Sequence, residues 1–163
     1  ALGAALAGLG YRRAVVLAAS LGVHSSEDRV AGFVQGFNAG GGEVLRVHHS
    51  GYTREAGHRA MEEALSFGVA PGTVVFGVSD MVAVGAMAAA REAGRTIGAD
   101  IAVAGFDDTP TGRDVSPSLT TVHIPLEELG YQATRAAVDH DWQHAPARLE
   151  LGVVLRDSTP PLA

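Results

Sequence analysis

The sequence contains no lysine and no cysteine, and all 12 of its basic side chains are arginine. The missing cysteines exclude a disulfide framework and a thiolate nucleophile. The missing lysines exclude a phosphate loop of the G-x-x-x-x-G-K-[ST] type. No G-x-S-x-G stretch occurs, so there is no nucleophile elbow. Aromatic residues make up only 6%, so small side chains must supply the core by close approach of helices to a sheet. A net charge of −6 without a basic stripe makes this segment a poor nucleic-acid binder by itself. No apolar run reaches membrane-spanning length. The opening "ALGAALAGLG" lacks the charged start and cleavage pattern of a signal peptide. It reads as the tail of a helix stopped by Gly8 and Gly10. With no leader or span in view, the expected compartment is the cytoplasm. The first residue is Ala1 and not Met, which suggests a piece of a longer protein.

What is present is an alternation of strand and helix across 163 residues, 47% of them hydrophobic. Short β-branched runs lie at 13–19, 43–49, 73–78, 100–106, 119–124 and 148–156. Between them, helical periodicity covers 26–40, 53–68, 80–94 and 126–140. Asp80 reads as the N-cap of the third of these, and Pro125 as the first residue of the fourth. A Pro- and Ser-containing loop fills 109–118. Successive βα units predict an α/β fold with a parallel sheet covered on both faces.

In such a sheet, ligands bind beyond the carboxyl ends of the strands. The residues expected there are His24, Ser25, Ser26 and Arg29 after the first strand and Tyr52 after the second. Ser79 and Asp80 follow the third, and the adjacent carboxylates Asp107 and Asp108 follow the fourth. A cation, a ring, a hydroxyl and carboxylates on one edge suit a polyhydroxylated ligand. Each also has a plainer role. Asp80 can cap, Asp108 before Thr-Pro can form a turn, Tyr52 can cover a loop, and Arg29 can pair with Glu27 or Asp28. Asp107 is hardest to assign a plain role, because it directly ends a buried strand.

Other chemistry has less support. "GLGYRR" precedes a strand and lacks the third glycine of a dinucleotide fingerprint. His140 and His144 lie four apart beside Asp139 and Asp141 at an exposed helix end, a weak metal face. His48 and His49 alternate across a strand and cannot face one metal together. Paired aspartates of the phosphoacceptor or Mg²⁺-phosphatase kind also use a lysine, which the chain lacks. No metal, cofactor or enzymatic activity is expected.

Residues 74–130 contain Ser79-Asp80 with Ala83 and Gly85. They then run from Gly94 through Asp100 to Gly105-Phe106-Asp107-Asp108, and on to Pro117-Ser118-Leu119-Thr120-Thr121-Val122. This combination resembles the LacI/GalR family of transcriptional regulators. "GYRRAVVLA", "SSEDRVAGF" and the closing "LRDSTPPLA" extend the resemblance over nearly the whole chain. Ser79 stands where the family more often has Asn, and Ala99 where it has Pro.

The resemblance implies a three-layer αβα lobe of a periplasmic-binding-protein-like type I fold. Residues 1–163 would be effector-binding domain, mainly its second lobe (about 11–118) plus crossover segments (about 119–163). The helix-turn-helix head and first lobe would lie outside this chain. A small sugar-like effector would bind in an interlobe cleft and control operator binding through that head. The implied effector contacts are Asp107, Arg29, Ser79, Tyr52 and, as an apolar wall, Leu126. The implied homodimer would pack through Val84, Met87 and Val115. The alternative on the same fold is a periplasmic sugar-binding protein.

Overall fold

The computed structural model describes residues 1–138 and 150–162. The metal face considered at His140 and His144, with Asp139 and Asp141, lies outside the described residues.

The order of elements is α1 (Leu2–Gly8), β1 (Arg13–Ala18), α2 (His24–Ala39), β2 (Glu43–His49), α3 (Arg54–Ser66), β3 (Thr73–Gly77) and α4 (Asp80–Glu92). Then come β4 (Ile101–Ala104), α5 (Pro110–Asp114), β5 (Thr121–His123), α6 (Leu126–Val138) and β6 (Gly152–Val154). Four strands form a parallel sheet in the order β2-β1-β3-β4. The chain steps from β1 to β2 on one side and returns to β3 on the other. That reversal opens a crevice at the carboxyl ends of β1 and β3.

Side chains of β3 alternate across the sheet and place the helices. Phe76 stacks on Phe33 of α2, with ring centroids 4.5 Å apart. A side chain at neighbouring Gly77 would instead press on Ala83 of α4. α1 and α2 therefore cover one face, and α3 and α4 the other. β3 and β4 are buried throughout, while edge strand β2 is mostly exposed. Burying a ring such as Phe33, Phe37 or Phe76 contributes about 1.5–3 kcal/mol.

Glycine replaces bulk between α3 and α4. A side chain at Gly57 would collide with the Val82 carbonyl, and one at Gly85 with the Arg54 carbonyl. The two backbones touch, so α3 covers a second face of α4.

Three expectations change. Ser79, not Asp80, caps α4: its φ of −147° is extended, and its Oγ accepts the Val82 N–H at 3.3 Å. The expected 109–118 loop contains the short helix α5. β5 does not join an all-parallel sheet; it pairs antiparallel with β6 and runs beside the end of β4 through bridges Ala104–Thr120 and Asp107–His123.

The closing segment is held firmly. The Ser158 hydroxyl accepts the Thr120 N–H at 2.8 Å and donates to the Val103 carbonyl at 2.6 Å. The Tyr11 hydroxyl donates to the Pro160 carbonyl at 2.7 Å, and burial pushes this phenol up to about 12. α6 differs from the other long helices in having no buried residue.

Candidate functional site

β1 delivers the chain to α2, whose second turn carries Arg29 over the crevice. Its Nη1 donates to the Val78 carbonyl at the end of β3, 2.7 Å away. The same nitrogen lies 3.0 Å from Asp107 Oδ1. The guanidinium carbon sits 4.2 Å from the centroid of the Phe106 ring, a cation–π contact. Arg29 thus spans the ends of β3 and β4, and does not pair with Glu27 or Asp28. Each side chain of the Arg29–Asp107 pair remains about one-fifth exposed, at 20% and 21%. Nη2 and Nε of Arg29 and Oδ2 of Asp107 carry no hydrogen bond among the described residues.

Asp107 and Asp108 both adopt left-handed backbone conformations, with φ of 117° and 58°. Such values are uncommon outside glycine and turn the two carboxylates in different directions. Asp107 faces Arg29. Burial pushes its carboxyl above the ordinary 3.8, with Asp80 adding to the rise, against the opposing pull of Arg29. Asp108 faces β5 and the segment after β6. It accepts from Arg113 at 3.0 Å and from Arg156, and lies 3.0 Å from His123 Nδ1. Burial alone would raise its carboxyl; the bonds from Arg156, Arg113 and His123 outweigh that and hold it below 3.8.

Ser79 follows Val78 directly, but it is only 5% exposed and its hydroxyl is engaged in capping α4. Tyr52 packs on the core, and its hydroxyl lies 3.1 Å from Ser25 Oγ on the first turn of α2. His24, Ser25 and Ser26 all lie on the first turn of α2. Leu126 is half exposed at the start of α6. No hydrogen bond or ion pair joins Tyr52 or Leu126 to the Arg29–Asp107 pair among the described residues. A largely apolar hollow of about 310 Å³ lies on the Phe33 side of Arg29, between Phe76, Phe106 and Val122.

The implied subunit contacts are unevenly exposed on this chain. Met87 is fully buried and Val84 is 6% exposed, both inside this chain. The apolar surplus of α4 is absorbed by α3 at the Gly57 and Gly85 contacts. Val115 is partly buried against the core, and the exposed apolar residue on α4 is Met81.

Sequence reasoning missed the buried carboxylate of Asp80, whose partners lie 29 and 41 positions away. It also missed the partners of Asp108, of which Arg156 is 48 positions distant. No local pattern encodes such pairings. Among the described residues, no group of three or more His, Cys, Asp or Glu is placed to hold a metal ion. No helix there is long and apolar enough to cross a membrane.

The model of a periplasmic binding protein-like domain matches residues 4–159. The HTH-type transcriptional repressor PurR of Erwinia tasmaniensis is 35% identical over 133 residues, covering 80% of this chain and 38% of that protein. PurR of Klebsiella pneumoniae (strain 342) is 34% identical over 132 residues, with the same coverage of 80% and 38%. The chain thus spans under two-fifths of the length of these curated relatives. In three dimensions it resembles the lac repressor dimer bound to operator and the anti-inducer ONPF, with a TM-score of 0.86 at 26% identity. That match covers 96% of this chain and 55% of the other.

Proposed function

The chain belongs to the periplasmic-binding-protein-like family, as an effector-binding domain of the LacI type, and from that premise we propose that it forms one wall of a cleft for a small polyhydroxylated effector, with a sugar as the leading class. The supporting observation is the half-used Arg29–Asp107 pair at the ends of β3 and β4. Among the described residues, guanidinium N–H groups without a partner sit beside a carboxylate oxygen without one, a donor and an acceptor side by side. Two vicinal hydroxyls present the complementary pattern, each able to accept from arginine or donate to aspartate. The partial exposure of the pair keeps it accessible, and the fixed Val78 contact keeps it from swinging into solvent.

In this reading the first lobe, outside this chain, closes over the effector, and β5 and β6 belong to the segments crossing between lobes. Closure alters the spacing of DNA-binding heads in a homodimer. The second copy would meet α4 at Met81 and the loop at Val115, since Met87 is not available. Ser79 acts through the helix start it caps, Tyr52 borders the cleft, and Leu126 offers an apolar wall. The matched relatives are repressors, which favours this reading over a periplasmic sugar carrier.

Screening monosaccharides and sugar alcohols against the full-length protein by thermal shift and calorimetry tests it. One class should raise the melting temperature. Asp107→Ala should then weaken binding by about 1.5–3 kcal/mol, roughly ten- to 150-fold. Unchanged affinity in both Asp107→Ala and Arg29→Ala would remove the pair from the site.

A further inference from the structure

Asp80 is a fully buried carboxylate whose side-chain partners among the described residues are all neutral. It is not needed to start α4, because Ser79 already caps that helix. We propose that Asp80 is a positioning residue for the effector site, holding the Asp107 carboxylate against Arg29 by clamping both ends of the 106–109 turn. The proposal rests on the reading of Arg29 and Asp107 as effector contacts.

At one end of the turn, the Asp80 backbone N–H donates to the Phe106 carbonyl at 2.8 Å. At the other, Asp80 Oδ2 accepts the Thr109 N–H at 2.6 Å and the Thr109 hydroxyl at 3.1 Å. Between these anchors lie the two left-handed residues, Asp107 and Asp108. Neither is glycine, so both carry a conformational cost that persists only where the surroundings over-determine the backbone. The second carboxylate oxygen fixes the strand alongside. Asp80 Oδ1 accepts the Thr121 hydroxyl at 2.6 Å, and the carbonyl of the next residue, Val122, accepts the Asp107 N–H at 2.9 Å.

Two glycines leave room for this arrangement. A side chain at Gly105 would run into Asp80 Oδ1, and one at Gly112 would come within 3.4 Å of Oδ2. The carboxylate accepts three donors among the described residues. An asparagine sets its NH₂ either against the Thr109 N–H, losing that bond, or toward the Thr121 hydroxyl, which must then reverse from donor to acceptor. One residue on α4 thereby holds β4's end, the turn and β5 in register, so that Asp107 Oδ1 meets Arg29 while Oδ2 stays free.

The test is NMR on the full-length protein, comparing Asp80→Asn with Tyr11→Phe, which deletes a distant hydrogen bond. The HN–Hα couplings of Asp107 and Asp108 report their φ angles, and Arg29 guanidinium exchange reports its pairing. In Asp80→Asn the couplings should shift to those of ordinary negative φ, and Arg29 protection should fall about tenfold or more. Amides of α4 should stay protected. Wild-type couplings and Arg29 protection, with only a lower melting temperature as in Tyr11→Phe, would overturn the proposal. Should Asp80→Asn fail to fold, Thr121→Val and Thr121→Ser decide between the same two outcomes. A change in Val that Ser restores supports the clamp, and no change in either overturns it. None of these readouts needs a ligand. Failure of the effector reading shows separately, as an Asp107→Ala protein whose sugar response is unaltered.

Discussion

At the scale of single residues, Asp107 and Asp108 are neighbours with opposite electrostatics. The same backbone turn sends one into a half-used pair with Arg29 and the other into a fully used cluster with Arg113, His123 and Arg156. The side chain of Asp108 is only 4% exposed, so its charge depends on those partners. Its carboxyl is held below the ordinary value in the folded state. A depressed folded value gives stability that is present above the unfolded value near 3.8 and lost as pH falls through the folded one. Asp108→Asn should therefore cost about 1.5–3 kcal/mol at pH 7, the worth of a charge-assisted hydrogen bond. The gap from wild type should narrow as pH falls below the ordinary carboxylate range. Urea melts of both proteins across that range check it; a gap independent of pH would show that the Asp108 charge contributes nothing. Asp107 and Asp80 have the opposite sign, since burial raises both. Their charges cost stability as pH rises through the folded values.

At the scale of elements, the close approach of α3 and α4 sets a testable contrast between glycines. Gly85 has no room for a methyl group, because the Arg54 carbonyl fills the space. Gly85→Ala should destabilise by about 1–3 kcal/mol or more through forced separation of the helices. Gly32 in the middle of α2 has nothing within 4 Å. Gly32→Ala should stabilise by about 0.5–1 kcal/mol, the ordinary gain of alanine over glycine in a helix. Denaturant midpoints of the two variants should move in opposite directions. This contact also explains which parts of the fold were legible. The alternation of strands and helices could be read because periods of 2 and 3.6 are local. The burial of Met87 could not, because Gly57 lies 28 residues before Gly85 and nothing in either segment announces that they meet. Placing the cap of α4 on Asp80, one residue late, has a different cause. Ser79 and Asp80 are both good caps, and only the backbone decides: Ser79 is extended, while Asp80 is already helical. Of the candidate site, the meeting of Arg29 and Asp107 was legible because strand ends in a parallel sheet share an edge. The clamp by Asp80 depends on Thr109 and Thr121, which reach it only after the chain has crossed β4 and, for Thr121, α5.

At the scale of the whole molecule, α6 is the element that the rest of the fold does not explain. Its Leu126, Leu129, Tyr131 and Val138 are 50%, 45%, 56% and 70% exposed, on a helix with no buried residue. Burying a side chain of this size contributes about 1.5–3 kcal/mol, so four left wet forfeit a large share beside a typical domain stability of about 5–15 kcal/mol. Helices of such length are marginal in water without tertiary cover. In the proposed reading that cover is the first lobe, reached through β5 and β6, with the effector between the two. The 163 residues expressed alone should then show rapid amide exchange throughout α6, while β1, β3 and β4 stay protected by their burial. In the full-length protein the same α6 amides should gain protection, and a matching sugar should add more by holding the lobes closed. Hydrogen exchange followed by mass spectrometry reads all three states. Strong α6 protection in the isolated, monomeric segment would show that the helix needs no first lobe, and would take Leu126 out of the cleft wall.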